Sequence, residues 1–206
     1  MERPELLLVR HGETDSNLEA RYAGWNDDRL NARGREQTFS LAARLRPFRV
    51  RRVYTSPVRR AVETAEFLSA EIGADVRTVH DLREIEVGPW KDLTEGEVKA
   101  RWPAEYAEWK AAAHRFSLEG RESLLDVQRR ALDAVDRIAH AELSEPERPV
   151  VVVTHLALIR VLWLAALSEP LSRYQEIEVK NGDLRAIRWL GRGRVAIAGL
   201  APPGPA

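Results

Sequence analysis

The sequence predicts an α/β fold of three layers, with a mostly parallel central sheet, helices on both faces and an antiparallel edge. Three observations carry this. Leu6-Leu7-Leu8-Val9 and Val150-Val151-Val152-Val153 are unbroken apolar runs, the pattern of strands buried on both faces. Strand-like segments alternate with segments of helical period along most of the chain. Near its end the chain turns to strand-like runs separated by Asn181-Gly182 and Gly191-Arg192-Gly193.

The elements follow in order. A strand is expected over 5–10, then a polar stretch containing Arg21, Tyr22, Gly24 and Trp25. Asn31 is a suitable cap for a helix over about 32–46, with Phe39, Leu41, Ala42 and Leu45 as its apolar stripe. Arg52-Val53-Tyr54-Thr55 forms a second strand. Ser56-Pro57 is placed to open a helix carrying Val58, Ala61, Val62, Ala65, Leu68 and Ile72. Val76–Val79 is a third strand. Residues 82–122 differ in texture, rich in Trp, Gly and charge, with a capping box at Thr94 and Glu97. They are expected to form an insert or lid in which Trp102 and Trp109 pack. Ser123 and Asp126 cap a long helix to about 143, bearing Leu124, Val127, Ala131, Leu132, Val135 and Ile138. A strand over 150–154, a helix over 157–167 and strand-like runs at 174–179, 184–190 and 194–199 complete the pattern.

Composition narrows the function. The 206 residues suit one domain, taken as 1–200, with 201–206 a flexible tail. Lys and Arg together number 32 and so do Asp and Glu, so no global field points to nucleic acid or acidic membranes. The cations are mostly arginine, suited to planar, bidentate anion contacts. There is no cysteine, which excludes disulfides and thiolate-bound metals. No metal or cofactor is expected. Neither a signal peptide nor a membrane span is visible, and a cytoplasmic location is expected. A homodimer is compatible with all of this.

The chemistry concentrates at two junctions. Arg10-His11-Gly12 follows the first apolar run, and Thr154-His155 follows Val150–Val153. Open α/β sheets bind ligands at the carboxyl ends of their strands. One histidine there reads as a cap or packing residue; two imidazoles and an arginine call for an anion among them. A phosphate monoester fits. Its hydrolysis needs neutralised oxygens, a nucleophile and a proton for the departing oxygen. One arginine about 4 Å from a phosphate charge contributes on the order of 4 kcal/mol at an effective dielectric of 20. A neutral imidazole is a competent nucleophile when its second nitrogen is tied to a carbonyl, and the tight turn at Gly12 offers one.

Arg10-His11-Gly12-Glu13-Thr14, with Asn17 beyond it, resembles the opening motif of the histidine phosphatase (phosphoglycerate mutase-like) superfamily. Arg21-Tyr22-Ala23-Gly24-Trp25 with Asp28 and Leu30 resembles its next loop. Ser56-Pro57-Val58-Arg59-Arg60-Ala61 followed by Thr64-Ala65 resembles its second arginine motif. Leu82-Arg83-Glu84-Ile85 with Gly88 and Trp90 resembles its acid loop. Glu122-Ser123 and Val153-Thr154-His155 complete the set in family order, over most of the chain.

The resemblance implies a phosphoglycerate mutase-like fold and a set of roles. His11 is the nucleophile, carrying the phosphoryl group as phosphohistidine. Arg10, Arg60 and His155 bind phosphate oxygens, and Asn17 adds a contact. Glu84 protonates the leaving oxygen and then activates water. Arg21 and Gly24 are candidates for substrate binding. Arg59 and Arg60 differ by about 100° around a helix axis, so only one faces the pocket; Arg60 aligns with the family arginine. Leu156 stands where this family usually has glycine, and Ala23 where mutase-like relatives often carry a hydroxyl. The longer insert of the cofactor-dependent mutases is missing. These departures make the chain more similar to the phosphatase branch, which includes α-ribazole and broad-specificity phosphatases. The expected activity is hydrolysis of a small phosphorylated metabolite. A phosphoglycerate mutase and a non-catalytic phosphate-binding module are the two rivals.

Overall fold

A computed structural model describes residues 4–144 and 148–200. Its sheet has six strands in the order β3-β2-β4-β1-β5-β6. In chain order these are β1 (Glu5–Arg10), β2 (Arg52–Thr55), β3 (Asp75–Thr78), β4 (Val150–Thr154), β5 (Leu184–Gly191) and β6 (Arg194–Ile197). The first four are mutually parallel; β5 runs antiparallel to β1, and β6 antiparallel to β5. The tail at 201–206 lies outside the described residues.

The helices are α1 (Asp15–Leu18), α2 (Ala32–Leu45), α3 (Arg59–Ile72), α4 (Glu95–Arg101), α5 (Pro103–Ala112), α6 (Leu124–Ala141) and α7 (Leu156–Leu167). Pleating sorts the sheet's side chains between two cores. Leu7, Val9, Val151 and Val153 face α2 and α3, meeting Leu41, Leu45, Ala61, Ala65 and Leu68. Leu6, Leu8, Val150 and Val152 face α6, α7 and the 82–122 segment. Three layers result. Among the described residues, no helix is long and apolar enough to cross a membrane.

Caps set several helix starts. Asn31 accepts from the Gly34 N–H at 2.8 Å, Ser123 from Asp126 at 3.2 Å, and Thr94 and Glu97 form a reciprocal capping box.

Four local expectations need correction. The helix expected to start at Pro57 with Ser56 as its cap starts at Arg59 with Val58 at the cap position: Ser56 accepts from the Val58 N–H, and its hydroxyl also meets His155. Phe39 is exposed and Thr38 takes its place in the buried stripe, because the helix turns its polar-looking Gly34–Thr38 face toward the Gly12 turn. Residues 174–179 are not a strand. A 3-10 turn spans Leu171–Glu176, and its Tyr174 is buried against Trp109 rather than paired in the sheet. The last strand ends at Ile197, two residues short of the expected span.

Candidate active site

β1 and β4 are neighbours in parallel register, with Arg10 opposite Thr154. Both strands therefore end together and deliver His11 and His155 side by side, ring centroids 5.1 Å apart. β2 ends next to β4, and Ser56 follows it with its N–H on the Val153 carbonyl at 3.0 Å.

His11 is 2% exposed. Its Nδ1 lies 2.7 Å from the Gly12 carbonyl oxygen. A carbonyl only accepts, so Nδ1 carries the proton and Nε2 keeps its lone pair. Burial holds this imidazole well below the usual histidine range, and repulsion from Arg60 and then Arg10 lowers it further. The neutral form results. Gly12 must be glycine: a Cβ there would stand 2.5 Å from the Gly34 carbonyl oxygen. The Gly12 N–H donates to Thr64 Oγ1 at 3.1 Å, and that hydroxyl donates to the Arg60 carbonyl at 2.8 Å. One side chain on α3 thus fixes both the histidine turn and the arginine.

Arg60 is 1% exposed and splays its fork over three acceptors. Its Nε donates to His11 Nε2 at 3.1 Å, Nη1 to Asn26 Oδ1 at 3.0 Å and Nη2 to the Gly24 carbonyl at 2.7 Å. Gly24 contributes through its backbone, at φ +51°, with Val87 packed where a Cβ would project. Arg59, one position away, faces outward and pairs with Glu63 and Asp27. Arg10 donates to the Val179 carbonyl at 2.6 Å and leaves its buried Nε without an acceptor. Burial pushes this guanidinium down to about 10, against partial relief from Glu84.

His155 is fully buried. Its Nε2 is 2.7 Å from Ser56 Oγ, which already accepts from Val58. The other ring nitrogen, Nδ1, is buried and has no hydrogen-bond partner among the described residues. His155 stands beside His11 without itself lining the cavity described below. Its pKa is also held well below the usual range, by burial and then by Arg60.

Glu84 sits at the N-terminus of α7, where Oε1 accepts from the Ala157 N–H at 3.2 Å and from its own neighbour Ile85 at 2.9 Å. Arg10, His11, Asn17, Gly24, Arg60 and Glu84 all line one cavity of about 310 Å³. Asn17 turns its Oδ1 to the Thr14 N–H and to Asn181 Nδ2, which leaves its amide N–H groups as the side chain's remaining polar capacity. Arg21 also lines the cavity, but its donors go to Glu19 and to the Asp92 carbonyl, tying the first loop to the 82–122 segment.

Residues 6–198 match the family model of the histidine phosphatase superfamily, branch 1. The chain belongs to this superfamily. It is 34% identical over 208 residues to the glucosyl-3-phosphoglycerate phosphatase of Mycobacterium tuberculosis, covering 92% of this chain and 93% of that protein. It is 29% identical over 197 residues to phosphoserine phosphatase 1 of Hydrogenobacter thermophilus, covering 94% of this chain and 90% of that one. Among solved structures, Bacillus stearothermophilus YhfR superposes with a TM-score of 0.86 at 31% identity, over 95% of each chain.

Within this histidine phosphatase frame, two supporting residues escaped the sequence reading. Arg130 grips the Glu122 carboxylate with Nε and Nη2 at 2.6 and 2.8 Å. It also donates to the carbonyls of Asp81, Arg83 and Glu84 at 2.7, 2.7 and 3.0 Å. That clamp sets the backbone from which Glu84 projects, and Trp25 Nε1 holds the same Glu84 carbonyl at 2.6 Å. The signal was present: position 130 falls between Val127 and Ala134 on a buried helical stripe, where a lone arginine needs a reason. Asn181, expected only as a turn residue, donates to the His11 carbonyl at 3.1 Å and buttresses Asn17.

Proposed function

We propose that this enzyme is a phosphomonoester hydrolase acting in two steps through phosphohistidine. The observation that carries the reading is the His11 tautomer: Nδ1 tied to the Gly12 carbonyl, with Nε2 unprotonated and turned toward Arg60 beside the cavity. Nε2 attacks phosphorus and the P–O bond to the alcohol breaks. The Glu84 carboxyl delivers a proton to the departing oxygen. Water then attacks the phosphohistidine, Glu84 accepts its proton, and inorganic phosphate leaves with His11 restored.

The equatorial oxygens are held electrostatically. Arg10 and Arg60 supply two desolvated cations, and the incoming dianion replaces the water that burial removed. Arg10 Nε and His155 Nδ1 are buried polar atoms without a partner among the described residues, and Asn17 offers its amide. Residues 82–122 supply Glu84 and much of the cavity wall, and we assign them as the lid over the site. The substrate class is a small phosphorylated metabolite. Two relatives are named for action on glucosyl-3-phosphoglycerate and on phosphoserine, which fits that class.

The test combines labelling with leaving-group dependence. A phosphorylated substrate with labelled phosphorus should leave an acid-labile label on the wild type and none on His11→Ala. Glu84→Gln should slow aryl phosphates with poor leaving groups by about 10² to 10⁴ and good ones far less. Full activity in His11→Ala would remove the nucleophile assignment. Mutase turnover with negligible phosphate release would replace hydrolysis with isomerisation.

A further inference from the structure

The active cavity has a neighbour that the two-step reaction does not use. A second hollow of about 780 Å³ is lined by α2 and by the turn at 178–183, with Gln37 and Ser40 on one side and Lys180 and Asp183 on the other. Arg10, Leu156 and Arg160 line both spaces, so these three residues form the partition between them.

Two of the three are tied down. Arg10 Nη1 donates to the Val179 carbonyl at 2.6 Å. Arg160 Nε donates to the Ile177 carbonyl at 2.7 Å, and its Cζ lies 4.9 Å from the centre of the buried Tyr174 ring. Both guanidiniums hang on one short stretch of backbone, and their like charges repel. Leu156 is the partition's apolar member. It is half-buried, opens α7 and packs against the core on the α6 and α7 side of the sheet. Between two cations that repel each other, its volume completes the wall.

Its place in the chain puts that volume beside the reacting bond. Ala157, the next residue, donates its N–H to Glu84 Oε1 at 3.2 Å. The departing oxygen takes its proton from Glu84 and so lies within hydrogen-bond reach of it. The leaving group therefore passes Leu156 at its first atoms, before it reaches the part of the cavity walled by Tyr22, Val87 and Trp109.

We propose that Leu156 sets the width of the leaving group next to the ester oxygen, excluding esters that are bulky on that flank. Shortening it joins the two spaces and admits them. The inference rests on the hydrolase reading above and deepens it. Leu156 is a specificity residue that acts by shape and takes no part in bond breaking.

The test compares phenyl phosphate with 2,6-dimethylphenyl phosphate. Their leaving groups have similar acidity. A methyl on each side of the oxygen means that no rotation of the ring takes the bulk away from the wall. Wild type should prefer phenyl phosphate by about 10- to 100-fold in kcat/KM, the range for a methyl-sized misfit in an apolar pocket. Leu156→Ala should cut that preference to about threefold or less, mainly by lowering KM for the dimethyl ester, while phenyl phosphate hydrolysis stays within about twofold. Leu156→Val shortens the side chain by one methylene and should relieve part of the discrimination; it also serves if the alanine variant does not fold. Equal wild-type use of the two esters overturns the proposal. So does a preference that the shortened variants leave unchanged, or equal slowing of both esters in them. If wild type hydrolyses neither ester, the hydrolase reading fails. Calorimetric binding of both esters to wild type and to Leu156→Ala then still decides the partition, and equal affinities for wild type overturn it.

Discussion

Arg10→Met should stabilise the protein in phosphate-free buffer while disabling the site. Burial pushes the Arg10 guanidinium down from its ordinary range to about 10, with Arg160 and Arg60 adding repulsion and Glu84 and Asp183 giving partial relief. That fall corresponds to about 3 kcal/mol carried by the folded state at neutral pH. The sign follows from a cation that is protonated in both states below pH 10: the folded form is penalised throughout that range, and relief comes only above it. Methionine fills similar volume without charge. It forfeits one hydrogen bond, to the Val179 carbonyl, worth about 1 kcal/mol. The net gain is about 2 kcal/mol, or roughly 4–8 °C in Tm for a chain of this size. Thermal melts with and without inorganic phosphate measure both halves. Wild type should rise by about 2.7 kcal/mol at phosphate near 100 times its Kd, and the variant by far less. A variant that melts below wild type in phosphate-free buffer would refute the reasoning, because Arg10 would then be an ordinary structural cation.

Two further outcomes follow from the same geometry. His11 and His155 are both buried with pKa held well below 6.5, so the unfolded chain gains protons below pH 6.5 that the folded chain refuses. Stability should fall as pH drops below that point, by up to about 1.4 kcal/mol per pH unit for each histidine, and His155→Asn should flatten the slope seen in urea titrations. Arg130→Met removes the clamp on three acid-loop carbonyls and leaves Glu122 without its cation. We expect a loss of about 3 kcal/mol in denaturant unfolding and a kcat lowered at least about tenfold with KM nearly unchanged. A variant with normal kcat would mean that Glu84 is positioned by α7 alone.

Much of the frame was legible because its signals are local. Buried parallel strands need continuous apolar runs, and β1 and β4 have them; Asn31, Thr94 and Ser123 announce their helices through hydrogen bonds a few residues long. The errors arose where a distant partner outbid a local rule. Ser56 looks like a helix cap, but His155, 99 positions away, engages its hydroxyl, and the helix begins later. The apolar alternation at 174–179 suggests a strand, yet Tyr174 is worth more against Trp109 and Arg160 than in a ladder.

By itself the sequence determined the layered α/β architecture, the pairing of two strand-end histidines, and the identity of the arginines and the acid beside them. It could do so because motif residues lie within a few positions of the elements that place them. Only the tertiary structure decided which nitrogen of His11 is free, which of Arg59 and Arg60 faces inward, and that Arg130 and Asn181 support the site. Those outcomes depend on carbonyls and side chains brought together from distant segments, and hydrogen-bond direction is a property of that meeting rather than of either residue alone.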